Sequence, residues 1–265
     1  MTKIEAIALA KQQLALEHSC EADAFSRDEN IVTVSATNEG RRIYRPGASF
    51  LNFACFGRGA VITADERIHS WLREYLSGGD EPITGQWLYE RVHRQAIDAK
   101  CGKFGKTLED AFHMYLPDER VSARAVDVPV KWFEEDEITP FYGAEQKLFP
   151  NSLSPFPNTF RPDMLAVAAY YGDTMIGMSG ASADTPEMWQ IGIDVLPDYR
   201  GHGIAAHLVS LLKNEILRRG KLPFYGTSHS NLNSQNVARA AGFFPAWIEC
   251  GTAELRFEPP EGFDK

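Results

Sequence analysis

The chain has no long apolar run, no basic excess, few cysteines and no internal repeat. Each shortage closes off a class of protein. No stretch of the 265 residues approaches the ~20 apolar residues that a membrane-spanning helix needs. The N-terminus, MTKIEAIALAKQQLALEHSC, carries Lys3 and Glu5 and lacks an apolar core followed by a small-residue cleavage site. It reads as an amphipathic helix rather than a signal peptide. The expectation is a cytoplasmic protein without a membrane partner. The formal net charge is −9, the opposite of the basic excess that phosphate neutralisation demands of a general nucleic-acid binder. The four cysteines, Cys20, Cys55, Cys101 and Cys250, lie far apart. They form no CxxC and stand at no zinc-ligand spacing with histidine, so reduced thiols and no metal are expected.

What is present is an ordinary globular composition, 44% hydrophobic and 24% charged, enough to build a core without staples. The length fits one large domain or two small ones. The pattern changes near residue 120. Before it, strand-like NIVTVSA, SFLNFACF and GAVITA mix with helical DERIHSWLREYL and GQWLYERVHRQAIDA. Asp65 is placed to cap the first of these helices, whose apolar stripe is Ile68, Trp71, Leu72 and Tyr75. The polar stretch 101–123 reads as a linker. Beyond it RAVDVPVKWF is a strand, DEITPFYGAEQKLF two short helical pieces, and NSLSPFPNTFRP an irregular segment. DMLAVAAYY and TMIGMSGAS are strands joined at Gly-Asp, a hairpin signal. EMWQIGIDVL is a further strand. A helix spans about 203–219 with Ile204, Ala205, Leu208, Val209, Leu212 and Ile216 on one stripe, stopped by Gly220. KLPFYGTS, NSQNVARAA, PAWIEC and AELRFE complete the series as strand, helix and two strands, and PPEGFDK is a frayed tail. The fold class is α/β (α+β) with a mixed sheet. The domains expected are an N-terminal α/β lobe over 1–124 and a second domain over 125–265.

The segment LPDYRGHGIAAHL, 196–208, satisfies two phosphate-binding patterns. Gly201, Gly203 and Ala206 fit G-x-G-x-x-G/A, the dinucleotide turn. That turn stands directly after its strand and wants an acid at the end of the next one. Here PDYR intervenes, and the next strand ends YGTSHSN. The second pattern includes Arg200, as Q/R-x-x-G-x-G/A. Amides at a helix N-terminus lack intrahelical partners, and the helix dipole adds positive charge there. A pyrophosphate fits that arrangement. Gly201 and Gly203 place no Cβ in its way. Arg200 either adds a charge-assisted contact or orients the loop.

With Arg200-x-x-Gly203-x-Ala205, the strand WQIGIDVL before it, and Asn231-Leu-Asn-Ser234-Gln-Asn236 running to Gly242-Phe243 after it, the chain resembles the GCN5-related N-acetyltransferases (GNATs). The resemblance covers about 125–255. It is narrower to a bacterial GNAT group with an extra N-terminal region. It implies a mixed, mostly antiparallel sheet flanked by helices, with acetyl-CoA as acyl donor. The implied cofactor contacts are Arg200, Gly201, His202, Gly203, Ile204 and Ala205 in the loop, Ile193, Asp194 and Val195 on a bulged strand, and Asn231, Ser234 and Asn236 beyond. Among the strand residues, the backbones of Ile193 and Val195 are the expected pantetheine contacts. Asp194 is expected to point away from the cofactor face in a structural role. Gly192 suits a bulge or a close approach.

Transfer of an acyl group to an amine needs a base for the ammonium and a proton for the leaving thiolate. Glu187, eight residues before Val195, corresponds to the base of several protein-acetylating GNATs. His229, two residues before Asn231, is the second candidate, since imidazole titrates in the right range. Many GNATs carry an acid tyrosine four residues before the glycine of Gly-Phe. Here that position is Ala238, so Ser234, Tyr225 or an ordered water substitutes, or no acid is used. His202 and His207, five apart, do not share a helix face for a metal. GMSGA at 177–181 lacks the last glycine of a nucleophile elbow.

In the first half, GRGA at 57–60 has Ala54 where the loop's Arg or Gln would stand. This half reads as a degenerate GNAT-like lobe or as an unrelated cap over the acceptor, with Trp71, Trp87 and Tyr89 lining a pocket or packing a core. The whole reads as an N-acetyltransferase acting on a small-molecule or peptide amine. The acidic surface favours polyamines, aminoglycoside-like compounds or lysine side chains. The alternative is a non-catalytic acyl-CoA sensor.

Overall fold

The computed structural model describes residues 1–78, 83–143 and 147–255. The tail PPEGFDK lies outside the described residues, as does part of the second helical piece after Gly143. In chain order the elements are α1 (Lys3–His18), β1 (Ile31–Val34), β2 (Leu51–Cys55), β3 (Ala60–Ala64), α2 (Glu66–Ser77), α3 (Arg91–Gly102), β4 (Lys106–Leu108), β5 (Phe112–Pro117), β6 (Val130–Glu134), β7 (Asp163–Tyr171), β8 (Thr174–Ala183), β9 (Met188–Val195), α4 (Ile204–Arg218), β10 (Leu222–Ser228), α5 (Leu232–Ala240) and β11 (Phe243–Glu254).

The chain forms two compact units that do not follow chain order. The larger takes residues 1–16, 38–46 and 112–247; the smaller takes 17–37, 47–111 and the chain from Ile248 on. A cut after residue 124 falls inside the larger unit. The stretch 101–123, polar overall, is no simple linker, because it holds β4 and β5. β5 alternates weakly, yet Met114, Tyr115 and Leu116 are buried. β11 is a single strand where two were expected, and it passes through Gly251 without a break.

In the smaller unit β1 pairs parallel with β3, β3 antiparallel with β2, and β2 with the second half of β11. Asp65 caps α2 by accepting the Arg67 amide at 3.0 Å. The helix buries Ile68, Leu72 and Leu76, a spacing of four that keeps them on one face. Trp71 and Tyr89 pack against that core, and the Tyr89 hydroxyl donates to the Ile248 carbonyl at 2.9 Å. Trp87 stays 42% exposed.

In the larger unit the strand order is β5–β10–β9–β8–β7–β6. Every described neighbour pair in it is antiparallel except β9 with β10. The Gly172-Asp173 hairpin closes β7 onto β8, with Gly172 at φ +58°. One face of the sheet is covered by α4 and α5. Ile204, Leu208, Val209, Leu212 and Ile216 of α4 pack on Leu165, Val167, Trp189, Ile191 and Val195. α4 also buries Lys213 completely. Its ammonium donates to the carbonyls of Asp118 and Gly242, at 3.1 and 3.5 Å, and to that of Val121. Burial pushes its pKa down to about 8.

Candidate functional site

The site begins where β9 and β10 part. They are paired only over Leu222↔Met188, Pro223↔Trp189 and Phe224↔Gln190. Beyond those residues β10 keeps its other neighbour, from Tyr225↔Tyr115 to Ser228↔Phe112, and β9 keeps β8. A wedge therefore opens between Ile191–Val195 and Tyr225–Ser228.

The edge that β9 turns into this wedge follows from its register. The Leu196 amide donates to the Ile176 carbonyl at 2.9 Å. Antiparallel pairs alternate between bonded and non-bonded. Asp194 and Gly192 therefore direct their backbone groups at β8, and Ile191, Ile193 and Val195 direct theirs away from it. The Gly192 carbonyl confirms this by accepting the Ser179 hydroxyl at 2.8 Å, and the Val195 carbonyl accepts Arg200 Nε at 2.9 Å. Ile193 and Val195 thus border the wedge with their peptide groups facing it.

Two details differ from expectation. The register of β8 with β9 runs unbroken from Gly177↔Val195 to Ala183↔Trp189, so β9 carries no bulge against β8. Gly192 serves close approach instead: a Cβ there would stand 1.8 Å from the Asn151 carbonyl oxygen. Asp194 has no backbone group free for a cofactor. Its side chain lies on the face away from α4, as expected, where it accepts the Asn151 amide at 2.6 Å, the Asn151 side-chain amide at 2.7 Å and the Ser152 hydroxyl at 3.2 Å.

At the wide end a short 3-10 turn, Pro197–Tyr199, leads to the glycine loop. Gly201 and Gly203 both have φ +82°, a left-handed conformation that favours glycine. A Cβ on Gly201 would meet nothing, and one on Gly203 only the Val126 side chain at 3.4 Å. Gly203 caps α4, and the first intrahelical bond runs from the His207 amide to the Gly203 carbonyl. The amides of Ile204, Ala205 and Ala206 therefore precede the helical ladder. Of the two roles open to Arg200, its Nε performs the second: it ties the loop to β9. His202 lies exposed against the Tyr199 carbonyl at 3.3 Å. The Ile204 side chain is buried in the core.

On the β10 side, Asn231 caps α5 by accepting the Ser234 amide at 3.0 Å. The Tyr225 hydroxyl meets Ser234 Oγ at 2.7 Å. Burial pushes the Tyr225 phenol up to about 12, the Ser234 bond opposes this, and the Asp194 charge adds to it. Asn236 is exposed on α5. Ala238 is fully buried in the cluster that holds Tyr115, Tyr225 and Phe243, so a tyrosine has no room at 238.

Neither candidate base stands beside Tyr225. Glu187 is in the turn before β9, 62% exposed, with Lys221 at 3.4 Å. Its own carbonyl accepts the Leu222 amide, so it lies past the closed end of the wedge, about 26 Å along the strand from Val195. Counted on from Phe224↔Gln190, Tyr225 is level with Ile191, and His229 is level with Val195 at the wide end. His229 has a partner that sequence reading missed. Its Nδ1 lies 2.7 Å from His113 Nε2, with the rings stacked at 4.9 Å. Burial, and then His229, hold the His113 pKa below its ordinary value. No sequence signal links residues 113 and 229, which meet only because β5 pairs with β10. Among the described residues no group of three or more His, Cys, Asp or Glu is arranged to hold a metal, and no helix is long and apolar enough to cross a membrane.

Residues 129–243 match the acetyltransferase (GNAT) family. No curated relative matches the chain. Similar solved structures include a GNAT-family acetyltransferase from Colwellia psychrerythraea, at 16% identity and TM-score 0.41 over 59% of this chain and 61% of that one. A GCN5-related N-acetyltransferase from Kribbella flavida aligns at 13% identity and TM-score 0.42, over 57% and 61% of the two chains. An aminoglycoside N-acetyltransferase in complex with CoA aligns at 19% identity and TM-score 0.35, over 52% of this chain and 97% of that one. The alignments thus span about three fifths of the first two proteins.

Proposed function

We propose, on the premise that residues 129–243 of this chain form an acetyltransferase (GNAT) domain, that the protein moves an acetyl group from acetyl-CoA directly to a primary amine. One observation carries this reading: the wedge edge of Ile193 and Val195 runs straight into a left-handed glycine loop with bare helix amides behind it. The bare amides of α4 suit a pyrophosphate. The peptide groups of Val195 and Ile193 suit an amide-bearing arm that runs from there toward the closed end. The thioester then lies near Ile191, level with Tyr225.

The chemistry asked of the chain is modest. The neutral amine nitrogen bonds to the thioester carbon and the C–S bond breaks. One N–H proton leaves to solvent water, and the sulfur gains one through the Ser234 hydroxyl, which Tyr225 backs at 2.7 Å. Amide donors on the wedge edge can hold the developing oxyanion, a contact worth about 2.7–4 kcal/mol per donor. Ser234 and Tyr225 stand in for the tyrosine that position 238 cannot hold. Glu187 and His229 are not assigned the base, because each lies about four residues along its strand from the reacting level.

The test is release of free thiol from acetyl-CoA across a panel of amines, beside thermal unfolding with acetyl-CoA. A ligand at 100 times its dissociation constant stabilises by about 2.7 kcal/mol. Ser234→Ala and Tyr225→Phe should lower turnover by about 100-fold or more and leave the acetyl-CoA stabilisation in place. Absence of stabilisation by any CoA ester would sink the reading. A second reading, an acyl-CoA-binding module without turnover, draws on Ala238 and on the position of Glu187. Stabilisation by acetyl-CoA with no thiol release to any amine selects it.

A further inference from the structure

One face of the sheet is filled by α4 and α5, and Ile191 and Tyr225 are buried there. On the other face, the last row before the wedge opens is Asp163, Ser182, Gln190 and Phe224. Register sets this row: Asp163 pairs with Ser182, Ser182 with Gln190, and Gln190 with Phe224. One step further along, the Asn151–Ser152 segment closes over Gly180 and Gly192. Gln190 and Gly226 stay partly exposed, and the Gln190 side-chain nitrogen lies 3.5 Å from where a Cβ on Gly226 would stand. An acceptor that enters from this face passes the Gln190 row.

Two guanidinium groups line that row, joined by one phenol ring. Arg161 Cζ lies 4.5 Å from the Tyr44 ring centroid, and Arg42 Cζ 5.3 Å from it. Arg42 also stacks on Phe224 at 5.5 Å and donates to the Tyr44 hydroxyl at 3.2 Å. At the other end, Ser182 Oγ and Arg161 Nε both donate to Asp184 Oδ1, at 2.7 and 3.1 Å. The contacts from Ser182 through Asp184, Arg161, Tyr44 and Arg42 to Phe224 therefore run from β8 to β10 across the foot of the wedge.

Arg161 is fixed on two sides and open on a third. Asp184, whose side chain is fully buried, holds Nε, and the Tyr44 ring covers one guanidinium face. Nη1 and Nη2 meet no acceptor among the described residues. Asp184 bonds only Nε, and Asp163 accepts from Tyr142 and the Ser154 amide instead. The Arg161 side chain is 23% exposed and Tyr44 is 44% exposed, so a ligand can reach the free end. A planar pair of donors, set by stacking and by a tethered Nε, matches a carboxylate that takes two parallel bonds.

We propose that Arg161 binds a carboxylate of the acceptor, which is therefore an amino acid; the proposal rests on the acyltransfer reading above. The reacting level at Ile191 is one residue beyond Gln190, about 3 Å along the strand. Ser182 stands between one and two strand spacings from the gap between β9 and β10, about 5–10 Å. A single amino acid spans that distance, with its carboxylate at the fork and its amine at the thioester. The net charge of −9 draws cations at long range, but at contact the donors that meet the ligand decide its identity.

The experiment is calorimetric titration of the CoA-saturated full chain at physiological salt. The probes are the common L-amino acids and the α-carboxamide of each one that binds. At least one amino acid should bind, and its carboxamide at least about tenfold more weakly, the loss of a hydrogen bond to a charged group. Arg161→Lys keeps a cation beside Asp184 and loses the planar fork, so most of that margin between acid and amide should go. Arg161→Gln made together with Asp184→Asn removes the fork without stranding a buried charge, and should abolish the margin. Both variants should keep the CoA-induced rise in melting temperature; if Arg161→Lys does not fold, the paired variant decides. The proposal is overturned if no amino acid binds CoA-saturated wild type, or if every carboxamide binds as well as its acid. It is also overturned if the margin survives in the paired variant or is undiminished in Arg161→Lys. Failure of wild type to be stabilised by any CoA ester would instead count against the acyltransfer reading itself.

Discussion

Two pairs of glycines in the larger unit are glycine for opposite reasons. Gly180 and Gly192 lie on adjacent strands under the segment Asn151–Ser152. A Cβ on either would stand 2.0 Å from the Ser152 oxygen or 1.8 Å from the Asn151 oxygen. Gly201 and Gly203 have φ +82° and open space or a single side chain around them. The first pair lets the chain pack against itself. The second lets the backbone turn left-handed and leaves helix amides uncovered. A glycine-rich stretch is thus no sign of a ligand by itself; what matters is whether protein already fills the place of the missing Cβ.

The largest effect should fall on the filled pair. Gly192→Ala forces a methyl into a backbone carbonyl, which a packed segment cannot relieve by a rotamer change. We expect a loss of at least about 3 kcal/mol, the upper end for overpacking, read from the midpoint of denaturant unfolding. Gly203→Ala should cost only about 1–2 kcal/mol for a left-handed residue, and should also reduce the stabilisation by acetyl-CoA. If Gly203→Ala proved the more destabilising of the two, the distinction between filled and open glycines would collapse. Arg200→Ala comes next. It removes the Nε bond to the Val195 carbonyl at 2.9 Å, worth about 1 kcal/mol, and should weaken the acetyl-CoA response by freeing the loop.

The open pair was legible in the sequence, whereas of the filled pair only Gly192 was marked, for a bulge or a close approach, and Gly180 was not. Gly201 and Gly203 stand in a local pattern with Arg200 and a helix stripe, and local patterns survive without knowledge of the fold. Gly180 and Gly192 acquire their full meaning from Ser152 and Asn151, which are far away in sequence and reach them only once β8 and β9 are paired. The same limit explains the rest. The wedge edge at Ile193 and Val195 was implied only by the resemblance of WQIGIDVL to the strand that precedes the loop in GNAT proteins. β5 was missed because its buried Met114, Tyr115 and Leu116 are flanked by polar residues and interrupted by nothing that marks a strand. The interleaving of the two units, with 38–46 in one and 47–111 in the other, leaves no compositional trace at its crossings. His113 could not be paired with His229 for the same reason: the contact belongs to β5 lying beside β10.

That histidine pair supplies the smallest expected effect, and it sharpens the contrast from the open side. The packed segment over Gly192 is held by a carboxylate and neutral donors, whereas the wide end of the wedge holds an imidazole whose pKa is lowered from 6.5, first by burial and then by His229. Below pH 6.5 the unfolded chain takes up a proton at His113 that the folded chain resists. Unfolded chains then bind more protons than folded ones, so stability rises with pH across the window just below 6.5 and falls as the pH drops through it. Above 6.5 both states are neutral at this residue and its contribution is flat. His113→Gln keeps a group that can bond to His229 Nδ1 and removes the titration. Unfolding free energies measured on either side of pH 6.5 should therefore show a shallower acid slope for His113→Gln than for wild type. An unchanged slope would mean that the pair is solvated as freely as an exposed histidine and that the wide end is more open than its packing indicates.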